Sequence, residues 1–275
     1  MKFCAVVVTY YPDTEETAQN ILRYIGHIDH LIIWENTPPE ERENYRIRLP
    51  RYADRISYMG TDRNVGIAHA LNRAVEWADR NGCTHLMTMD QDSTWENFPL
   101  YKERIAACGE SDVAIFAPRI CDRKLANLVI NTENRVITSG AVSPLAVFRE
   151  VGLFREDYVI DCVDDEFCYR CRRAGYRIVV FDDTRLHHDM VRKTKLKRLP
   201  VHICNYSAYR LFYILRNRIW LWKSYRDFLP RTYIRTELVQ FAGISIVKII
   251  FFEKSKQSKL KAIMRGIKSG ILGNA

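Results

Sequence analysis

Apolar residues fall into two alternating rhythms along the first half of the chain: short β-branched runs, and longer segments in which they return every three or four positions. Phe3 to Thr9 (FCAVVVT) is a continuous run closed by Tyr10-Tyr11-Pro12-Asp13, which predicts a buried strand followed by a loop. Ala18, Ile21, Leu22 and Ile25 then recur at helical spacing. Asp13 or Thr14 can cap that helix, and Glu15 and Glu16 fall in its first turn, where the dipole favours acids. His30 to Trp34 and Arg55 to Met59 predict two further strands. Ile67 to Ala78 predicts a helix whose stripe of Ile67, Leu71, Ala74, Val75 and Ala78 faces a core. Thr84 to Met89 returns as a strand. Strands and helices alternating over the first 120 residues imply a mostly parallel sheet covered on both faces, with ligands bound beyond the carboxyl ends of its strands. The loops at those ends are Thr9 to Asp13, Glu35 to Thr37, Thr61 to Gly66 and Asp90 to Ser93.

Farther along, the rhythm loosens. Asp112 to Ala117, Val136 to Val142 and Tyr176 to Phe181 predict strands, and Asp164 to Ala174 a helix stopped by Gly175. Beyond Pro200 the pattern is helical, most clearly over Leu211 to Trp222 and Glu237 to Phe252. The expected organisation is one large α/β domain over residues 1–200, with halves 1–120 and 121–200, and a helical extension over 201–275.

Composition adds constraints. With 47% hydrophobic and 27% charged residues the chain is of ordinary globular type, without low-complexity tracts or repeats. Its net charge of +9 is uneven, Lys and Arg crowding residues 170–268, so that part should meet an anionic partner: phospholipid, pyrophosphate or nucleic acid. Met1 to Val8 is too short for a signal peptide, and the eight cysteines lack disulfide-framework spacing. Both point to a cytoplasmic protein with reduced thiols. Cys162, Cys168, Cys171 and Cys204 with His187, His188 and His202 invite a zinc reading, but Cys168 and Cys171 fall within one helical pattern and no second CxxC exists. Buried thiols are the simpler account.

The chemistry concentrates at Met89-Asp90-Gln91-Asp92-Ser93, where an apolar strand ends in two carboxylates one residue apart. Such a pair can share a hard cation, Mg²⁺ or Mn²⁺, whose coordination a diphosphate completes. A solvated acidic turn is the competing reading of the same residues.

Five stretches in order carry a resemblance: Val7-Val8-Thr9-Tyr10, Asn64-Val65-Gly66-Ile67-Ala68, Asp90-Gln91-Asp92-Ser93, Ser139-Gly140 and Val163-Asp164-Asp165-Glu166-Phe167. Together with Arg170 to Ile178 (RCRRAGYRI), they cover about residues 3–190. This set resembles the bacterial family 2 glycosyltransferases, especially their rhamnosyltransferase branch. The resemblance implies a GT-A fold, the Rossmann-like mixed sheet of nucleotide-diphospho-sugar transferases. Residues 1–120 would then form the nucleotide-binding half and 121–200 the acceptor side. Thr9 and Tyr10 would border the nucleobase, and Glu35 stands where the family usually has a base-recognising aspartate. Asn64 and Gly66 would shape the loop beside the nucleotide, and Asp90 would approach the ribose. Asp92 would bind the metal, and His188 would complete the metal or diphosphate site, with adjacent His187 as its rival.

Asp164 aligns with the family's catalytic base. An inverting transfer needs one carboxylate to take the acceptor hydroxyl's proton while the departing diphosphate is neutralised from the other side. The competing role for Asp164, Asp165 and Glu166 is to compensate the dipole at a helix start. Val163 replaces the Glu common in the broader family, as in the rhamnosyltransferase branch, and Asp165 is the reserve base.

The resulting expectation is an inverting, metal-dependent hexosyltransferase. Its leading donor is dTDP-rhamnose, with a UDP-sugar as the alternative, and its acceptor is a hydroxyl of a surface-polysaccharide or lipid-linked glycan. In the tail, Tyr206 to Lys223 interleaves arginines with aromatics, and Leu238 to Phe252 precedes Lys254, Lys256, Lys259, Lys261, Arg265 and Lys268. Three readings compete there: internal packing, a homodimer contact, and an amphipathic surface at the inner face of an anionic membrane. A basic nucleic-acid-binding protein is the rival from another class, but no helix-turn-helix, zinc-finger or RNA-recognition motif accompanies the charge, and no nucleic-acid partner is expected. A dinucleotide oxidoreductase lacks its G-x-G-x-x-G after the first strand.

Overall fold

The computed structural model describes residues 1–109, 111–122, 130–188, 194–195, 202–203 and 205–273. Cys204 and the backbone around His202 that would complete the zinc reading lie partly outside the described residues. The chain divides into two compact units, one formed by Met1–Glu156 with Phe167–Asp189 and the other by Asp157–Glu166 with Met190–Ala275.

The first unit is built on β1 (Phe3–Thr9), α1 (Thr14–Leu22), β2 (His30–Glu35), the single turn α2 (Pro39–Arg42), β3 (Ile56–Gly60), α3 (Ile67–Arg80), β4 (His85–Asp90), β5 (Thr94–Trp95), α4 (Phe98–Cys108), β6 (Val113–Cys121), β7 (Ala141–Pro144), α5 (Leu145–Val151), most of α6 (Val163–Arg173) and β8 (Arg177–His187). Its eight strands lie in the order β3-β2-β1-β4-β7-β6-β8-β5. The first four are parallel, β7 runs antiparallel to β4 and β6, and β6 and β8 are again parallel. Fully apolar strands suit this position between helical layers. Phe3, Cys4, Ala5 and Val6 on β1 and Leu31, Ile32 and Ile33 on β2 are completely buried. Asp13 caps α1 as expected, its carboxylate accepting from the Glu16 amide at 3.0 Å.

Register aligns the strand ends. Thr9 pairs with Glu35, Glu35 with Gly60, and Val8 with Asp90, so the carboxyl tips of four adjacent strands finish in one row. Beneath that row Trp95, Phe98 and Tyr101 are buried together. Trp95 stacks on Tyr101 with centroids 4.8 Å apart, and the Tyr101 hydroxyl donates to the Gly140 carbonyl at 2.9 Å. Burial of each such ring contributes about 1.5–3 kcal/mol.

Two expectations shift. The strand predicted over Val136 to Val142 begins only at Ala141. Thr132 and Arg135 bridge as a tight turn, and Gly140 sits at φ 79°, where a Cβ would lie 2.7 Å from Leu186 Cδ2 and 2.9 Å from Pro118 Cγ. Before it Val136 is buried and Ile137 half-buried, both outside any strand. The strand predicted over Tyr176 to Phe181 instead runs to His187. Its added half alternates buried Thr184 and Leu186 with exposed Asp183 and Arg185, a strand with one solvated face whose polarity hid its extension.

In the second unit, a two-stranded ladder of β9 (Thr194–Lys195) and β10 (His202–Ile203) precedes α7 (Ala208–Tyr225), a π-helical turn over Ile234–Gln240, α8 (Phe241–Phe252) and α9 (Lys256–Leu272). Leu211, Leu215, Ile249 and Ile263 form its core. Gly266 and Gly270 let α7 and α9 approach closely, for a Cβ on Gly266 would lie 2.6 Å from the Phe212 carbonyl oxygen. Among the described residues no helix is long and apolar enough to cross a membrane.

The arginines of α7 are engaged within the unit. Arg216 is buried and stacks 4.1 Å from the Trp220 ring centroid, Arg210 pairs with Asp161 at 2.9 Å, and Arg218 pairs with Glu237 at 3.2 Å. Of the three readings of the tail, internal packing accounts for these α7 side chains.

Candidate functional site

The row of strand tips gathers most of the residues singled out above. Thr9, buried at the end of β1, donates from its hydroxyl to the Trp34 carbonyl at 3.2 Å. Tyr10 follows it with its ring half exposed, and its backbone is clamped by Gln91: the Tyr10 amide donates to Gln91 Oε1 at 2.7 Å and Gln91 Nε2 donates to the Tyr10 carbonyl at 3.3 Å. The residue between the two aspartates thus ties the first loop to the fourth. Glu35 is buried, and Arg46 donates to its carboxylate at 3.3 and 3.4 Å. That guanidinium also lies 4.8 Å from the Tyr58 ring centroid. Asn64 accepts from the Gly66 amide at 2.9 Å, and Gly66, at φ 84°, starts α3 from a conformation that suits glycine.

Asp90, Asp92 and His188 converge, each offering a ligand atom within 4.8 Å of the others. His188 Nε2 stands 3.9 Å from Asp90 Oδ2 and His188 Nδ1 3.6 Å from Asp92 Oδ1. The imidazole is mostly covered, while the two carboxylates are about one-third exposed. His188 enters the site because its backbone amide donates to the Cys121 carbonyl at 3.1 Å just after β8 ends. His187 instead faces Glu96, with Nε2 3.2 Å from Oε2. The histidine beside the acidic pair is therefore His188.

A buried serine pair supports this cluster. Ser93 Oγ lies 2.8 Å from His188 Nδ1, Ser139 Oγ donates to Ser93 Oγ at 2.6 Å, and the Asp90 amide donates to Ser139 Oγ at 3.3 Å. Both serines are fully buried. With Nδ1 engaged by Ser93, Nε2 is the nitrogen left for a ligand, the arrangement found when an outer hydrogen bond fixes a metal-binding histidine. Two carboxylates and one imidazole around a partly open position fit a divalent cation completed by phosphate oxygens.

No family model matches the chain. It is 26% identical, over 98% of its own length and 95% of the relative's, to the dTDP-rhamnosyl transferase RfbF of Shigella flexneri. Among solved structures it is similar to the mannosyltransferase PcManGT of Pyrobaculum calidifontis, described in complex with GDP-Man and Mn²⁺, at TM-score 0.59 and 14% identity over 100% of this chain and 76% of that one. It is also similar to residues 1–349 of S. aureus TarS, at TM-score 0.61 and 13% identity over 99% and 81% of the two chains. The chain has the GT-A fold of these transferases.

The remaining candidate, Asp164, belongs to the second unit. It opens α6, where its Oδ1 accepts the Asp165 amide at 3.0 Å. Burial foremost, and then the charges of Asp165 and Asp161, push its carboxyl up to about 7. The approach to the helix is strained: Val159, Asp161 and Cys162 have φ of 60°, 63° and 62°, a left-handed region costly for a β-branched residue such as Val159.

Asn217 on α7 holds that strained turn. Fully buried, its amide donates to the carbonyls of Tyr158, Ile160 and Asp161 at 2.8, 2.9 and 2.8 Å. Arg216 adds a bond to the Asp157 carbonyl, and the Tyr225 hydroxyl donates to buried Glu166 at 2.7 Å. None of these supports stands out in the sequence. Asn217 looks there like one polar residue on an aromatic helix, and only its return to a turn more than 50 residues earlier gives it a purpose. Ser93 and Ser139 were each inside a recognised motif, but nothing in the linear order joins them.

Proposed function

We propose that this protein is a glycosyltransferase that moves L-rhamnose from dTDP-rhamnose to a hydroxyl of a surface-polysaccharide or lipid-linked glycan, at the cytoplasmic face of the cell envelope. The observation that carries the reading is the convergence of Asp90, Asp92 and His188 at the strand tips. The likeness to a dTDP-rhamnosyl transferase along nearly the whole of both chains supports the choice of sugar.

Asp92 and His188, with Asp90 toward the ribose, would hold Mg²⁺ or Mn²⁺. When bound there, the cation neutralises charge on the departing nucleoside diphosphate. A nitrogen ligand beside two carboxylates favours Mn²⁺ over Mg²⁺. Asp164 takes the proton of the acceptor hydroxyl as that oxygen bonds to the anomeric carbon from the face opposite the diphosphate. The bond from that carbon to the phosphate oxygen breaks with its electron pair, so the sugar is transferred with inversion. A base held near 7 suits this task, since it is substantially ionised at neutral pH yet basic enough to accept a proton.

Thr9, Tyr10, Asn64 and Gly66 would enclose the nucleoside. Glu35, steadied by Arg46, would accept from the N3–H at the centre of the acceptor-donor-acceptor edge of thymine. Because the same edge occurs in uracil, and because TarS has been described in complex with UDP-GlcNAc, a UDP-hexose is the second reading.

Hydrolysis of dTDP-rhamnose, UDP-glucose, UDP-GlcNAc and GDP-mannose, each with and without Mn²⁺, tests the proposal. Fastest metal-dependent cleavage of dTDP-rhamnose is expected. Preference for a UDP-sugar would move the assignment to the second reading, and salt-sensitive oligonucleotide binding with no metal-dependent nucleotide binding would overturn both.

A further inference from the structure

We propose that the second unit docks on an anionic lipid bilayer through the outer faces of α8 and α9, lying on the surface rather than crossing it. Helix α8 has two apolar sides. Ile249 is buried, with Phe241, Ala242 and Ile246 packed about the same core. Roughly opposite on the helical wheel, Ile244, Val247 and Phe251 are 46%, 53% and 70% exposed. An exposed ridge of this kind has no function in a free monomer's core.

Helix α9 continues the pattern in amphipathic form. Its buried face carries Ala262, Ile263, Gly266 and Gly270, and its outer face alternates Lys261, Arg265 and Lys268 with Met264, Ile271 and Leu272, the last three 69%, 58% and 71% exposed. Basic side chains with long apolar stems, set among exposed aliphatic groups, match an interface where hydrocarbon lies below and phosphate above.

Charge identifies the occupant. Residues 231–273 hold nine Lys or Arg and two acids, a net +7 of the whole chain's +9. Both acids are already used: Glu237 pairs with Arg218, and Glu253 pairs with buried Lys259 at 2.7 Å. Arg231, Arg235, Lys254, Lys256, Lys261, Arg265 and Lys268 are left exposed. A second copy of the same face would set Lys261, Arg265 and Lys268 against like charges, whereas anionic headgroups remove that repulsion and the acyl region accepts the apolar ridge. Among the described residues no helix is long and apolar enough to cross a bilayer, so this surface would lie on it.

The surface does not depend on which sugar is transferred, so its test is separate. The full chain is sedimented with vesicles of pure phosphatidylcholine and of phosphatidylcholine containing about a third phosphatidylserine, at low and high salt. Binding to the anionic vesicles, at least tenfold tighter than to neutral ones and weakened by salt, is expected. Ile244→Ser with Phe251→Ser should weaken it tenfold or more, and Lys261→Glu with Arg265→Glu and Lys268→Glu should abolish it, while metal-dependent donor cleavage in solution stays at the wild-type level for both. Failure to bind either vesicle overturns the proposal. So does a concentration-dependent dimer that the apolar variant disrupts, or oligonucleotide binding that the charge-reversed variant alone removes, when either occurs without vesicle binding.

Discussion

Asp90 and Asp92 stand at the end of β4 with His188 as their partner, whereas Asp164 stands at the start of α6 with Asp165 and Asp161 as the charges that raise its carboxyl to about 7. The two settings handle negative charge by opposite means. In the first, half-open carboxylates and an imidazole leave a gap that positive charge would fill, so the site favours a cation and the phosphates it carries. In the second, burial and like charge keep one carboxyl near neutrality, so it can accept a proton and release it again. Their supports differ correspondingly. Two serine hydroxyls orient the imidazole in one, and one asparagine amide holds three carbonyls of a strained turn in the other.

The contrast breaks most sharply at the base. Asp164→Asn should lower kcat for transfer roughly 10²–10⁴-fold, the range for loss of a general base, while Mn²⁺-dependent dTDP binding measured by calorimetry remains near wild type. Undiminished turnover would move the role to Asp165. At the other site the expected loss is one of binding. Ser93→Ala should weaken Mn²⁺ about 10–100-fold, as removal of a ligand's outer hydrogen bond does, without altering the pH dependence that belongs to Asp164. Mn²⁺ affinity unchanged in that variant would confine Ser93 to packing.

The turn before α6 can be loosened without touching either acid. Asn217→Ala leaves buried carbonyls without a donor and should cost about 3 kcal/mol in urea unfolding, at the upper end for an orphaned buried group. It should also lower kcat more than KM. A stability loss with kcat intact would leave Asn217 as a packing residue only.

The smallest effect is one of pH. As the proposed base, Asp164 must be ionised to take a proton, so log kcat should rise with pH through about 7. Asp165→Asn removes the larger of the two neighbouring charges and should shift that rise to lower pH. Stability follows the opposite sign. The folded chain holds this proton more tightly than the unfolded one, whose carboxyl titrates at its ordinary value of 3.8, so Asp164's contribution falls as pH climbs from that value through about 7. Asp164→Asn should flatten that slope, which urea titrations at several pH values would measure.

How much of this was legible in the linear sequence depends on the distance over which each feature is determined. Strands β1, β2 and β4 followed from local periodicity because they are buried along most of their length, and helix α3 because one face of it is. Asp90, Asp92 and Asp164 were visible because carboxylates at a strand end or a helix start are conspicuous. Strand β8 was cut short because its outer half alternates with solvent, and the strand expected from Val136 was stopped by Gly140, whose conformation is set by the nearness of Leu186 and Pro118. The bonds that orient the functional groups were hidden, since Ser93 meets His188 across 95 residues and Asn217 meets Tyr158 across 59. Which histidine joins the acids depended on β8 register, where one step exchanges His188 for His187.

The most direct test of the account is the affinity of dTDP for the full chain, with and without Mn²⁺, in the wild type and in Asp92→Asn. The account predicts tight dTDP binding that requires Mn²⁺ in the wild type and a loss of at least tenfold in the variant, with its thermal unfolding unchanged. Equal affinity for dTDP in all four conditions would contradict it.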